Sequence, residues 1–262
     1  MPASSPGALR AFRFAWLASG SRGNAALVEA GGTCVMLDCG LGLKGARARL
    51  ERLGKGVEDV DAILVTHEHA DHIGGVARIA GRHDIPVHCT AGTARGFRQR
   101  PPVLEIISAH EPFEIGGLRI EPMPVPHDAR EPCQFVFTDG AARLAILTDL
   151  GRPTPHVLAS LAGCDALAIE CNHDAGLLAA GPYPPALKRR VGGALGHLSN
   201  DQAAGILDRL DRGRLKHVIA VHLSETNNTP GLALDDLAGS LGCRAADLEA
   251  AGQDEGLGWR SL

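Results

Sequence analysis

Residues 66–72 read Thr-His-Glu-His-Ala-Asp-His. Three imidazoles and an aspartate this close together, with Glu68 among them, exceed what a packed core uses, and they match the donor types that bind divalent metals. The spacing indicates the local conformation. Metal-binding histidines on one helix face lie at i and i+4. His67 and His69 lie at i and i+2, which suits an extended segment or a loop at a strand end. The apolar run at 60–66 (VDAILVT) supplies that strand. His67 and His69 are then expected to point toward one metal. Asp71 and His72, on the turn into a helix, reach a second. A chance cluster of surface histidines is the competing reading, and the density of donors and the strand-to-helix setting weigh against it.

Two ions need more donors than these. His127, Asp149 and His222 each close an apolar, strand-like stretch (MPVPH, LAILTD and HVIAVH). Singly, each reads as a turn-former. Together they supply the missing ligand types from three separate strands. The expected partition gives His67, His69 and His127 to one metal. Asp71, His72 and His222 go to the other, with Asp149 bridging. This mixed nitrogen and oxygen set suits zinc or manganese and also admits iron.

The elements that position these residues can be read from periodicity. Stretches 12–18, 25–30 and 34–40 read as strands, and 43–54 has helical spacing ending on Gly54. After the strand at 60–66, residues 73–83 read as a helix and 85–90 as a strand. Stretches 117–127, 133–140 and 142–151 read as consecutive antiparallel strands. A short helix at 154–162, a strand at 165–171, a helix at 199–210, a strand at 216–222 and a helix near 232–241 follow, with one or two short strands at the end. Each half thus runs strands first, then strand–helix alternation. Two mixed sheets packed face to face with helices outside satisfy that order. No composition shift marks a boundary, so residues 12–262 are expected to form one domain behind a flexible tail at 1–11.

Bulk properties narrow the setting. The chain has 262 residues, 45% hydrophobic and 21% charged, with a formal net charge of -4. Nothing global advertises nucleic acid, although a local basic patch could suffice. The seven cysteines include no CxxC pair, and most lie in apolar, strand-like contexts. Buried free thiols in a reducing compartment are the simplest account. The first residues lack an apolar signal-peptide core, and no run approaches the roughly 18 apolar residues of a membrane span. A cytoplasmic protein with no membrane partner is expected, and a homodimer is compatible with all of this.

The H-x-H-x-D-H motif with His, Asp and His at later strand ends resembles the metallo-β-lactamase superfamily, from about residue 12 to 225. The resemblance implies a four-layer αβ/βα sandwich with the metals at one edge of two mixed sheets. It also implies that Asp38, in LDCG (37–40), steadies the histidine loop. The flavodiiron branch carries Glu where His69 stands, and the penicillin-hydrolysing branch usually carries Cys where Asp149 stands. A carboxylate bridge better suits phosphate-ester chemistry.

GHLSN (196–200), ahead of a helix and a strand ending in the last metal histidine, resembles the ribonuclease Z branch. Ser199 and Gln202 form a capping-box pattern that sets His197 just before a helix N-terminus, a favourable place for phosphate. SGSRGN (19–24), VPHDA (125–129), TDLG (148–151), ECNHD (170–174), GPYP (181–184), GHLSN and HLSETNNTP (222–230) together look most like the YycJ/WalJ family. That resemblance implies a 5′-to-3′ DNA exonuclease. A hydroxide bridging two metals would attack phosphorus in line. Asp71 would orient it, the metals and His197 would stabilise the phosphoryl charge, and His173 or His197 would protonate the leaving oxygen. Ser19, Ser21, Arg22, Asn24 and Asn172 are the expected substrate contacts. Arg95, Arg98, Arg100, Lys188, Arg189 and Arg190 could, with Arg22, line a groove for phosphates. A cyclic phosphodiesterase, an RNA-processing nuclease and a non-catalytic metal-stabilised module are the competing readings.

Overall fold

The computed structural model describes residues 11–262. The expected tail at 1–11 therefore lies, Ala11 apart, outside the described residues. Two seven-stranded sheets form the frame. The first takes β1 (Arg13–Ala18), β2 (Ala25–Ala30), β3 (Thr33–Leu37), β4 (Ala62–Leu64), β5 (Val87–Cys89) and β6 (Leu104–Ile106). The second takes β7 (Phe113–Ile115), β8 (Leu118–Pro124), β9 (Cys133–Thr138), β10 (Arg143–Leu147), β11 (Ala166–Glu170), β12 (His217–Val221) and β13 (Glu249–Ala250). The last strand, β14 (Leu257–Ser261), returns to the first sheet and pairs antiparallel with β1. Read from β14 to β6 and from β7 to β13, both sheets run through three antiparallel pairings and then three parallel ones. The sheets are mixed, and the two halves repeat one plan.

Side chains alternating across the strands fill three apolar layers. Phe14 and Trp16 of β1, Val28 of β2, Phe135 and Phe137 of β9, and Leu144 and Ile146 of β10 meet between the sheets. Helices α1 (Leu43–Arg52) and α3 (Val76–His83) cover the outer face of the first sheet through Ala46, Leu50, Ile79 and Ala80. Helices α5 (Pro155–Ser160), α8 (Asn200–Leu207) and α9 (Pro230–Leu241) cover the second through Val157, Ile206 and Leu237. The expected four-layer αβ/βα sandwich is the fold observed.

The differences from expectation lie in short elements. The expected helix at 73–83 is two: α2 (Ala70–Ile73), then α3, broken at Gly74–Gly75. A Cβ on Gly75 would sit 1.8 Å from the Leu41 carbonyl oxygen, so the break is where the loop after β3 docks. The strand expected at 60–66 is shorter, Ala62–Leu64, with one further bond from the Val65 amide to the His88 carbonyl before the chain turns into the loop that carries His67 and His69. Strands β6 and β7, α4 (Ala91–Ala94), α6 (Ala175–Ala180) and α7 (Pro185–Val191) were not anticipated. Each spans seven residues or fewer, too short for a periodic signal.

Candidate metal centre

Three strands deliver their terminal residues by the same device. Asp38 after β3, Asp149 after β10 and His222 after β12 have φ of 57°, 50° and 57°. Non-glycine residues rarely adopt this left-handed conformation, which costs on the order of 1–3 kcal/mol unless the surroundings enforce it. Here it turns the chain sharply at the sheet edge and aims all three side chains into one cluster.

That cluster contains all seven expected ligands. The donor atoms of His67, His69 and His127 form one compact group, and those of Asp71, His72 and His222 another, each within 4.8 Å. Asp149 joins His67 and His72 in a third group and His197, His222 and Glu170 in a fourth, which places it between the two triads. Its Oδ2 lies 2.9 Å from His72 Nε2, and its Oδ1 lies 3.7 Å from His127 Nε2.

Three of the imidazoles, those of His72, His127 and His222, are oriented from behind. Asp38 accepts from the Thr66 amide (2.9 Å) and hydroxyl (2.9 Å), and its Oδ2 lies 2.8 Å from His72 Nδ1. His127 Nδ1 lies 3.0 Å from the Gly196 carbonyl. His222 Nδ1 lies 2.9 Å from Glu170 Oε1. Bonds of this kind set which ring nitrogen faces a metal.

The donor set fits divalent cations on two further grounds. His67 Nε2 and His222 Nε2 are buried with no hydrogen-bond partner among the described residues. Nitrogens left bare in a polar pocket need a ligand to recover the cost of losing water. Buried carboxylates also outnumber formal positive charge. Burial alone would lower the ionisation of His222, yet Asp149, Asp71 and Glu170 push it up to about 10. His72 is likewise raised against its burial, chiefly by Asp149 and Asp38. The pocket demands cationic charge, which bound metal would supply.

Glu170, at the end of β11, was not singled out as a site residue. It is fully buried, and its Oε1 lies 2.9 Å from both His197 Nδ1 and His222 Nδ1. Its Oε2 accepts from the Leu150 and Leu198 amides at 2.9 and 3.0 Å. Burial works against ionisation, but His197, followed by the hydrogen bonds from His197 and His222, holds the carboxyl at about 2. In return Glu170 raises His197 above the ordinary histidine range against its burial. His197, 20% exposed at its side chain, also stands 3.3 Å from Asp149 Oδ1. The signal was present in ECNHD, but a strand-terminal Glu has too many ordinary uses.

The remaining expected residues divide. Ser19 accepts the His222 amide at 2.7 Å, and Asn172 Nδ2 donates to the His222 carbonyl at 3.1 Å. Asn24 Nδ2 lies 3.3 Å from Asp71 Oδ2 and 3.2 Å from His72 Nε2. All three are largely buried, and these contacts brace the cluster. Ser21 and Arg22 are exposed, and the Arg22 guanidinium bonds to Glu225 and Asp254. His173 is buried and bridges in strand fashion to Ser199, and its Nδ1 has no partner among the described residues. It joins none of the donor groups. At the rim, Arg190 pairs with Asp128 at 2.6 Å, and Lys188 donates to the Ala179 carbonyl.

Residues 33–223 match the family described as Beta-lactamase superfamily domain. The chain is 34% identical to the exodeoxyribonuclease YycJ of Bacillus anthracis over 225 residues, covering 84% of this chain and 85% of that one. It is 33% identical to the exodeoxyribonuclease WalJ of Streptococcus pneumoniae over 229 residues, covering 85% of each. Its fold is similar to that of the metallo-β-lactamase fold protein YhfI of Bacillus subtilis, with a TM-score of 0.75 and 14% identity over 96% of this chain and 100% of that one.

Proposed function

We propose, from the premise that this chain belongs to the metallo-β-lactamase superfamily and within it to the YycJ/WalJ family, that it is a metal-dependent phosphodiester hydrolase acting on DNA as a 5′-to-3′ exonuclease. The observation that carries this reading is the pair of donor triads about Asp149, with the Glu170–His197 pair beside it. His67, His69 and His127 would hold one divalent ion, Asp71, His72 and His222 the other, and Asp149 both. Zinc or manganese suits the set, and iron is admissible. When bound, such a pair lowers the pKa of a ligated water to about 7 and offsets charge on phosphoryl oxygens.

The chain's own residues do the rest. Asp71, held by Asn24, is aligned to accept a hydrogen bond from an attacking water. Glu170 raises the proton affinity of His197 against its burial, at the partly exposed edge of the cluster. A protonated imidazole there can neutralise a phosphoryl oxygen or give its proton to the departing oxygen. His173 is less suited to that step, because burial lowers its affinity for a proton.

The test is a panel of single- and double-stranded DNA, RNA and cyclic phosphodiesters, run with metal analysis. Release of nucleotides from DNA ends, loss on chelation and recovery with zinc or manganese are expected. Asp149→Ala should retain at most one equivalent of metal and lose turnover by about 10²–10³-fold, the range seen when a key electrostatic group is removed. Preference for cyclic phosphodiesters or RNA would reassign the substrate. Full metal content without turnover of any ester would make the protein a binding module.

A further inference from the structure

We propose that a second surface, the groove between α3 and the loop at 95–102, carries the phosphate backbone of the DNA being cut. It rests on the DNA reading above and adds where the strand runs beyond the scissile bond. The groove has a volume of about 560 Å³ and is lined by Arg78 and Arg82 of α3 and by Gln99, Arg100 and Pro102 of the loop. Arg78 and Arg82 lie one helical turn apart, roughly 6 Å along the axis, so each can meet a different phosphate. Arg100 faces them across the groove, and Arg95 and Arg98 are exposed on the same loop.

Two features separate this tract from an ordinary solvated helix face. No carboxylate lines the groove, and none of Arg78, Arg82, Arg95, Arg98 and Arg100 forms an ion pair among the described residues. By contrast Arg22, Arg49, Arg130, Arg143, Arg190, Arg214, Arg244 and Arg260 are each paired with an acid. In a chain of formal net charge -4, three unpaired guanidiniums in the groove and two more on its loop form a local field opposite in sign to the whole.

The second feature is continuity with the metal loop. Gly96 lies against Glu68, between His67 and His69, so closely that a Cβ on Gly96 would come within 2.2 Å of Glu68 Cβ. Four residues later the chain reaches Arg100, at most about 14 Å of extended backbone away. At its far end Pro102 lies against Gly81 of α3. The tract therefore starts at the metal loop and leads away along α3, the course a strand would need. Guanidinium groups bind phosphate through two parallel N–H donors, and several of them spaced along one groove suit a run of phosphates better than a single small anion.

The experiment measures binding of metal-loaded protein to a fluorescent, phosphorothioate-linked duplex that resists hydrolysis, as a function of salt. The variant carries Arg78→Gln, Arg82→Gln and Arg100→Gln. A control carries Arg119→Gln, Arg209→Gln and Arg244→Gln, exposed positions elsewhere that remove the same charge. The slope of log affinity against log salt should flatten by about 2.7 in the groove variant, at roughly 0.9 per lost contact. The control should keep the wild-type slope. An unchanged slope in the groove variant, or equal flattening in both, overturns the tract, as does wild-type protein that does not bind the duplex. Cleavage of unmodified DNA by the wild type is scored separately. An enzyme that cuts DNA but keeps its slope refutes only the tract, and one that binds through the groove yet cuts no DNA refutes only the nuclease reading.

Discussion

Glu170 ties together more of this site than any residue outside the two proposed ligand triads, because one carboxylate oxygen serves both His197 and His222. Removing its charge while keeping its shape should loosen the second metal triad and lower the proton affinity of His197 together. For Glu170→Gln the expected outcome is a 10–100-fold loss of affinity at one of two metal sites, read by competition with a chromogenic chelator. His197→Ala should keep both metals and lose turnover, because His197 lies outside both triads. Metal loss in His197→Ala would instead make it a ligand. That these seven donors come together was legible because imidazoles and carboxylates at strand ends are few and chemically conspicuous. Glu170 was not, since its two imidazole partners lie 27 and 52 residues away and meet it only through the parallel pairing of β11 with β10 and β12. Ser19, Asn24 and Asn172 show the converse. Their motifs stood out, but whether a polar side chain faces substrate or its own neighbours depends on packing that the motif does not encode.

Among the elements, the contact of the loop after β3 with α2 sets the position of Asp71. The Gly40 amide donates to the Asn24 carbonyl, and the Asn24 amide to the Asp71 carbonyl, at 3.0 and 2.8 Å. A Cβ on Gly40 would lie 1.9 Å from the Asp71 carbonyl oxygen, a contact that only backbone movement can relieve. Gly40→Ala should therefore push α2 outward and misplace a proposed ligand by a substantial fraction of an ångström. A loss of 10²-fold or so in turnover is expected, the scale that follows from misplacing a catalytic group by about 1 Å. The buried core side chains Leu50, Ile79 and Phe135 are untouched by this change, so the melting temperature should fall only modestly. A variant that unfolds outright would show that the loop holds the sheet edge as well as the site. The long strands and helices were readable from their periodicity. The break at Gly74–Gly75 had a signal in the Gly-Gly pair, which marks turns, but the apolar spacing on either side reads as one helix, and the docked loop shows why it ends there.

Across the whole molecule, six of the seven cysteines are buried and Cys243 alone is exposed. Burial pushes the Cys34, Cys39 and Cys89 thiols up to about 12 and Cys164 to about 11, and it raises Cys133 and Cys171 further still. A thiol is the neutral, unreactive form below its pKa. At mildly alkaline pH a colorimetric thiol reagent should therefore modify one cysteine quickly in the folded protein and all seven after denaturation. Rapid reaction of two or more would show that a buried layer opens readily. The same three-layer interior joins strands distant in sequence, and the first sheet is the extreme case. Its β1 pairs with β14, Arg13 opposite Ser261, and the Leu262 amide donates to the Phe12 carbonyl. During synthesis β1 must wait for a partner almost the whole chain away, on the order of 10–50 seconds at ribosomal rates. His222 leaves the ribosome before β14 does, so every proposed metal ligand is available while one edge of the first sheet is still unpaired. A nascent chain can thus acquire metal ahead of its final strand, and a slow ribosome would lengthen the interval in which that open edge is exposed to other chains.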